Sequence, residues 1–255
     1  MLSPCGKHRH VKPGYLSEIF VSFQGEGAHV GRRHLFVRLA GCNLRCRYCD
    51  TPDSLERTAQ YTVYQGNASQ LRDNPVAVDA LVAVVASILE RDAPIDAIAV
   101  TGGEPLTQSE FLAAFLGAGQ FSVPVLLETN GVLPRRLQDV LALIDIVSMD
   151  IKPPSNSGEG AFWEEHAAFL ELARTKDLYV KILVDQRTED GDIERAAALL
   201  AGVQPLVSTF LQPIVDECGR AQIDAQRLTH FYRLARPALP SLRVLPQTHK
   251  LLGIR

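Results

Sequence analysis

From residue 78 onward the chain switches regularly between two hydrophobic periods, and that alternation restricts its fold more than any other feature. Val78, Leu81, Val82, Val85, Ile88 and Leu89 recur at helical spacing, and Ala97 to Val100 then makes a short apolar run of the kind buried in a sheet. The pattern repeats. Helical segments near 107–117, 133–143, 159–175, 191–202 and 221–235 alternate with strand-like segments near 123–128, 146–151, 178–184 and 208–214. His34 to Ala40, rich in β-formers, begins the series, and Leu16 to Phe23 reads as a further short strand before it. Six strands counted from His34, each followed by a crossover segment, predict an α/β fold with a parallel sheet wound as a partial (βα)6 barrel; eight repeats do not fit. Folds of this kind collect their functional groups at the C-terminal ends of the strands. Thr107, ahead of Gln108, Ser109 and Glu110, is a capping-box candidate for one of the helices.

With 255 residues, 46% hydrophobic and 22% charged, the chain has apolar material for one packed core. A single domain over 1–255 is expected, with a lead-in at 1–15 and a polar, irregular stretch at 52–75 that reads as an insertion or lid. The net charge of -3 leaves no basic surplus for phosphate, so nucleic acid is not an expected partner. Leu81 to Leu89, the longest apolar stretch, is broken by Ser87 and falls short of the roughly 18–20 residues of a membrane span. Met1 to His10 carries Lys7, His8, Arg9 and His10 with no apolar segment behind them, which does not read as a secretory signal. A cytoplasmic protein acting on a small molecule, away from the membrane, is the expectation.

Three of the five cysteines fall in Cys42-x3-Cys46-x2-Cys49, just after the first strand of the series. In a reducing compartment such a cluster favours metal over disulfides. Three thiolates on one short loop suit three corners of an iron–sulfur cube and leave the fourth iron without a protein ligand. A closed zinc site would want four ligands, and Cys5 and Cys218 lie far off in sequence. Downstream, Thr101-Gly102-Gly103-Glu104-Pro105 ends a strand; its glycines allow close backbone approach, or simply turn the chain into a helix. Gly25-x-Gly27-x3-Gly31 is not a dinucleotide fingerprint, because its last spacing is too long and a strand follows where a helix should start.

The cysteine loop and the Thr101–Pro105 strand end together resemble the radical S-adenosylmethionine superfamily. Within it, Glu18-Ile19-Phe20, Phe23-Gln24-Gly25-Glu26-Gly27, Phe36 to Leu44 and Tyr48-Cys49-Asp50-Thr51 resemble the 7-carboxy-7-deazaguanine synthase family. So do Glu128-Thr129-Asn130-Gly131, Lys152-Pro153-Pro154-Ser155 and Pro246-Gln247-Thr248-His249-Lys250. The resemblance implies a barrel of the radical SAM type with a [4Fe-4S] cluster on Cys42, Cys46 and Cys49. It implies S-adenosylmethionine held around Tyr48, Cys49, Asp50, Gly103, Glu104, Ser148, Asp150, Lys152 and Gln212. It also implies Mg2+ at Thr51, whose hydroxyl is a hard oxygen donor; on local sequence Thr51 reads equally as a cap or turn before Pro52. The implied reaction contracts 6-carboxy-5,6,7,8-tetrahydropterin to 7-carboxy-7-deazaguanine with loss of ammonia, feeding 7-deazapurines such as queuosine. An external electron donor of flavodoxin or ferredoxin type and a homodimer are implied as well.

For the substrate, Arg38 offers a bidentate fork suited to a carboxylate, with a salt-bridged strand arginine as the alternative. Gln24 and Glu26, with the backbone of Phe23 and Gly25, match the donor and acceptor edge of a pterin. Thr101 at its strand end and His249 in the tail at 241–255, which resembles the family's pocket-closing segment, complete the expected set. His34, His166 and His230 read as structural or exposed, and Phe162 and Trp163 as core or dimer surface. Two other readings stand beside this one: another radical enzyme, such as one that installs a glycyl radical on a partner, and a non-catalytic iron–sulfur or zinc module. The Phe23–Gly27 segment and the His249 tail argue against the first, and six βα units against the second.

Overall fold

The computed structural model describes residues 11–255 apart from Asn67 and Glu217; the first ten residues, with Cys5 and the basic cluster, lie outside the described part. All six strands of the expected series form and run parallel. β1 (Leu16–Phe23) and β2 (Arg33–Leu39) pair antiparallel, and β5 (Ala97–Gly102), β6 (Val125–Thr129), β7 (Ile146–Ile151), β8 (Asp177–Val184) and β9 (Ser208–Pro213) continue from β2 in parallel. A short further strand, β10 (Leu242–Val244), extends the parallel run beside β9.

The stretch at 52–75 is a 3-10 turn at Pro52–Ser54 followed by an antiparallel hairpin, β3 (Gln60–Gln65) and β4 (Ala68–Asp73). Through β3 the hairpin joins the outer side of β1, giving the order β10-β9-β8-β7-β6-β5-β2-β1-β3-β4. The crossover from β2 to β5 therefore carries the cysteine loop and this hairpin before its helix, α1 (Val78–Arg91).

The other helices are α2 (Ser109–Gly119), α3 (Pro134–Val140), α4 (Pro154–Ser157), α5 (Trp163–Ala173), α6 (Asp190–Val203), α7 (Ala225–Ala235) and α8 (Thr248–Leu252). Leu81, Val85 and Ile88 of α1, Phe111, Leu112 and Phe115 of α2, and Phe231 and Ala235 of α7 share the main core with outward-facing strand residues such as Val37, Val100 and Val180. Each fully buried aliphatic or aromatic side chain contributes about 1.5–3 kcal/mol, so this layer carries most of the stability. Thr107 does not form the expected capping box. It lies in a 3-10 turn, its hydroxyl donates to the Glu104 carbonyl at 2.8 Å, and Gln108 precedes α2 without a side-chain cap.

Because successive strand residues alternate faces, every second residue points into the barrel. Its lower layer is apolar: Phe20, Phe36, Ala99, Leu126, Ile146, Tyr179 and Phe210 form a second, smaller cluster, with Phe20 and Phe36 stacked at 4.8 Å. Two residues further along the same strands the side chains turn polar: Arg38, Thr101, Glu128 and Lys181. The chemistry thus sits at the C-terminal rim of the sheet, as the fold class requires. His34 and His166 are buried, as expected of structural histidines, and His230 is exposed.

Candidate active site

A cavity of about 340 Å³ opens at the rim. Its wall contains Cys42, Cys46 and Cys49 together with Tyr48, Asp50, Thr51, Thr101, Gly103, Asp150, Lys152 and Gln212, and on its other side Phe23, Gln24, Gly25, Glu26, Arg38 and His249. Residues scattered over the whole sequence therefore meet around one space.

Backbone contacts hold the cysteine loop. Gly41, at φ +98, donates to the Ser54 carbonyl at 2.8 Å, and its own carbonyl accepts from Glu104 N at 2.9 Å. Gly103 packs so tightly that a Cβ there would lie 2.8 Å from Cys42 Cβ. Arg47 N donates to the Ser157 carbonyl at 3.0 Å, and the Asn130 amide reaches Asn43 at 3.0 Å, tying the loop to α4 and to the end of β6. Burial pushes the Cys42 thiol up and that of Cys46 to about 11, so metal loading must displace protons. Among the described residues no three His, Cys, Asp or Glu side chains converge as a single ion would require. A cube instead takes each thiolate at a separate corner.

Two expected residues are placed differently. Glu104 does not line the cavity. Its carboxylate is wholly buried and accepts from Leu106 N (3.0 Å), Thr129 Oγ1 (2.9 Å) and Asn130 N (2.8 Å), bracing the strand end from behind. Ser148 is also buried beneath the wall, one lumen position below Asp150 on β7. Burial pushes the Glu104 carboxyl to about 7 despite those three donors. The folded carboxyl thus holds its proton more tightly than the unfolded one, near 4.3. Stability therefore falls as pH rises from about 4.3 to 7, by on the order of 3 kcal/mol. Urea unfolding at pH 5 and pH 7 should show this loss, and Glu104→Gln should lack it; equal pH dependence in both proteins would refute the assignment.

Lysines and carboxylates interleave across the cavity. Lys181, 2% exposed within the otherwise apolar run Leu178 to Val184 of β8, ion-pairs with Glu26 and, at 2.9 Å, with Asp150. Lys152 donates to the other oxygen of Asp150 at 3.0 Å and lies over the Tyr48 ring. Burial opposes ionisation of Glu26 and Asp150, but the ammonium groups outweigh it and hold both carboxyls below their ordinary range. Asp50 is drawn down to about 2: burial works against this, and the Lys250 ammonium with hydrogen bonds from Gln247 and Lys250 prevails.

The tail sits over the rim. Thr248 N donates to the Gly25 carbonyl at 2.9 Å, and Gln247 bridges Glu26 (2.7 Å) and Asp50 (3.0 Å). Lys250 reaches Asp50 at 3.2 Å, and a Cβ at Gly25 would collide with the His249 ring. Gln24 donates to Glu128 at 2.8 Å. Arg38 is paired: its Nε donates to Glu18 at 2.8 Å, and Arg255 takes the second oxygen of Glu18 at 2.6 Å. Lys181, Glu128, Gln247, Lys250 and Glu18 were not among the expected residues. For Lys181 the signal was present, as a lone charge within Leu178 to Val184.

The wall fits a cube with a bound sulfonium cofactor. Three thiols face it, and the buried Tyr48 hydroxyl and Gln212 Oε1 lack partners. Those orphans are what a polar ligand would satisfy.

A family model for the radical SAM superfamily matches residues 37–200. The chain belongs to that superfamily. It is 39% identical to the 7-carboxy-7-deazaguanine synthase of Geobacter sulfurreducens over 95% of this chain and 98% of the relative. The synthase of Thermococcus kodakarensis is 32% identical over 94% and 98%. Within the superfamily the chain belongs to the 7-carboxy-7-deazaguanine synthases, which are lyases. The crystal structure of QueE from Escherichia coli superposes with a TM-score of 0.55 at 22% identity, covering 92% of this chain and 94% of that one, which shows the shared fold. A radical SAM methyltransferase from Sphaerobacter thermophilus gives the same score at 14% identity over 90% and 77%.

Proposed function

We propose that this cavity contracts 6-carboxy-5,6,7,8-tetrahydropterin to 7-carboxy-7-deazaguanine and ammonia, on the route to queuosine and related 7-deazapurines. The observation that carries the reading is that the cysteine loop and the Gln24–Glu26 turn, closed over by the tail, line one space. When bound, the [4Fe-4S] cluster and S-adenosylmethionine would supply reversible radical hydrogen-transfer chemistry, so that the sulfonium cofactor is used catalytically.

The chain's own residues bind, orient and exclude water. Cys42, Cys46 and Cys49 hold three irons, and Tyr48, Asp50, Gly103, Asp150, Lys152 and Gln212 surround the sulfonium cofactor. Gln24 and Glu26 read the pterin edge, with Thr101 and His249 on either side. Thr51, with its hydroxyl 4.0 Å from Cys49 Sγ, is the Mg2+ donor alongside substrate oxygens and waters. Arg38, a cavity-lining residue whose Nε is held by Glu18, takes the substrate carboxylate. An external one-electron donor of flavodoxin or ferredoxin type, a homodimer and a cytoplasmic setting complete the reading.

The test is anaerobic incubation of cluster-loaded protein with S-adenosylmethionine, reductant and the carboxylated tetrahydropterin. A new ultraviolet-absorbing product with the mass of 7-carboxy-7-deazaguanine is expected, and none at all from an intact cluster would refute the proposal. Arg38→Ala should keep its cluster and weaken substrate by about 1.5–3 kcal/mol, the worth of a charge-assisted pair. An unchanged KM would remove Arg38 as the anchor.

A further inference from the structure

We propose that Lys181 is a positioning residue that couples binding of the pterin to binding of S-adenosylmethionine; this rests on the function proposed above. Lys181 lies where the two halves of the cavity meet. The residue is almost fully buried, at 2% exposure, and its ammonium is ion-paired with Glu26 on one side and Asp150 on the other. Glu26 belongs to the β1–β2 turn and is also held by Gln247 of the tail, so it faces the proposed substrate side. Asp150, the penultimate residue of β7, is also held by Lys152, which covers Tyr48 next to Cys49, so it faces the cluster side.

An ammonium has three donors and no acceptor, and here it donates to Glu26 and ion-pairs at 2.9 Å with Asp150, standing between the two carboxylates. Both carboxylates face the same cavity, and without the lysine between them they would repel each other in a region of low dielectric. A ligand that immobilises either carboxylate therefore immobilises Lys181, and through it the other carboxylate. The second ligand then meets a partner already ordered, which makes the coupling positive. By linkage the effect is reciprocal. A lysine that only filled the core would not need a carboxylate from each half.

The test is calorimetric titration of cluster-loaded protein, anaerobic and without reductant so that nothing turns over. The carboxylated tetrahydropterin is titrated with and without saturating S-adenosylmethionine, and the order is then reversed. In the wild type each ligand should tighten the other by about 5-fold or more. In Lys181→Met this ratio should fall to about one, whatever the change in either affinity alone. A purely structural lysine would shift both affinities and the melting temperature and leave the ratio intact. Where Lys181→Met loads no cluster, Glu26→Leu, which leaves no acceptor for the ammonium, cuts the same link from the other end and should also abolish the ratio. Wild-type protein that binds both ligands with no mutual tightening overturns this inference alone, as does a folded variant that keeps the ratio. Protein that binds S-adenosylmethionine and no pterin overturns the proposed function itself.

Discussion

Cys46→Ala should purify as a folded protein with essentially no bound iron or sulfide and no cleavage of S-adenosylmethionine. Cys46 lies on a loop fixed from outside by backbone and side-chain contacts, among them Arg47 N to Ser157 and Asn130 to Asn43, so its removal leaves the surrounding scaffold intact. What disappears is one of three cube corners, and the remaining thiols cannot hold the cube alone. The far-ultraviolet dichroism should match that of the wild type, while iron and sulfide analysis after anaerobic reconstitution should approach zero. Because burial pushes the thiol up to about 11, wild-type loading should also speed up as pH rises, since each thiol must shed a proton to become a ligand. Stoichiometric iron and sulfide in the alanine variant, with cleavage at the wild-type rate, would show that Cys46 is not a ligand.

The second large effect belongs to a methyl group. Gly103→Ala would place a Cβ 2.7 Å from the Gly41 carbonyl oxygen and 2.8 Å from both Cys42 Cβ and the Ser54 carbonyl oxygen. Two of those three neighbours are backbone, and real Cβ atoms do not approach so closely. The cysteine loop has to move away, taking the Glu104 N to Gly41 bond with it. Overpacking of this kind costs about 1–3 kcal/mol. Displacing Cys42 should cut cluster occupancy at least about tenfold, since a misplaced corner costs more than the roughly 1.4 kcal/mol that a factor of ten represents. Gly117→Ala is the control: it lies in α2 with open space around its Cβ position, and should be neutral or stabilise by up to about 1 kcal/mol. Thermal melts and iron analysis on both variants decide the matter. A fully loaded Gly103→Ala protein would mean that the loop is looser than its packing indicates.

The parallel core was legible because its strands are built on short apolar runs, such as Ala97 to Val100 and, with Lys181 as its lone charge, Leu178 to Val184, between helices of clear period. The hairpin at 60–73 was not, because β4 is exposed along nearly its whole length and so carries no hydrophobic alternation to read. Its available signals were the β-formers Tyr61 to Tyr64 and the turn at Gly66, which adopts φ +59. In the site, motif residues on the cysteine loop and the β1–β2 turn were found because they are contiguous. Glu104 was misplaced because sequence does not reveal that three donors converge on it from behind the wall. Ser148 was misplaced by depth: it faces the right way, two residues too low on its strand. Lys181 came from a strand with no motif, and only its charge within an apolar run marked it, while Glu128 opens the Glu128–Gly131 segment without a role that sequence alone assigns.

The solid aromatic layer under the rim separates the molecule into a working end and a supporting one. Phe20, Phe36, Tyr179 and Phe210 insulate the reaction from the turns at the far end of the strands, such as 92–96, 120–124 and 174–176. Those turns are where length and composition can drift, and where an affinity tag or an inserted segment should be tolerated, while a comparable insertion at the opposite end would fall on the catalytic machinery.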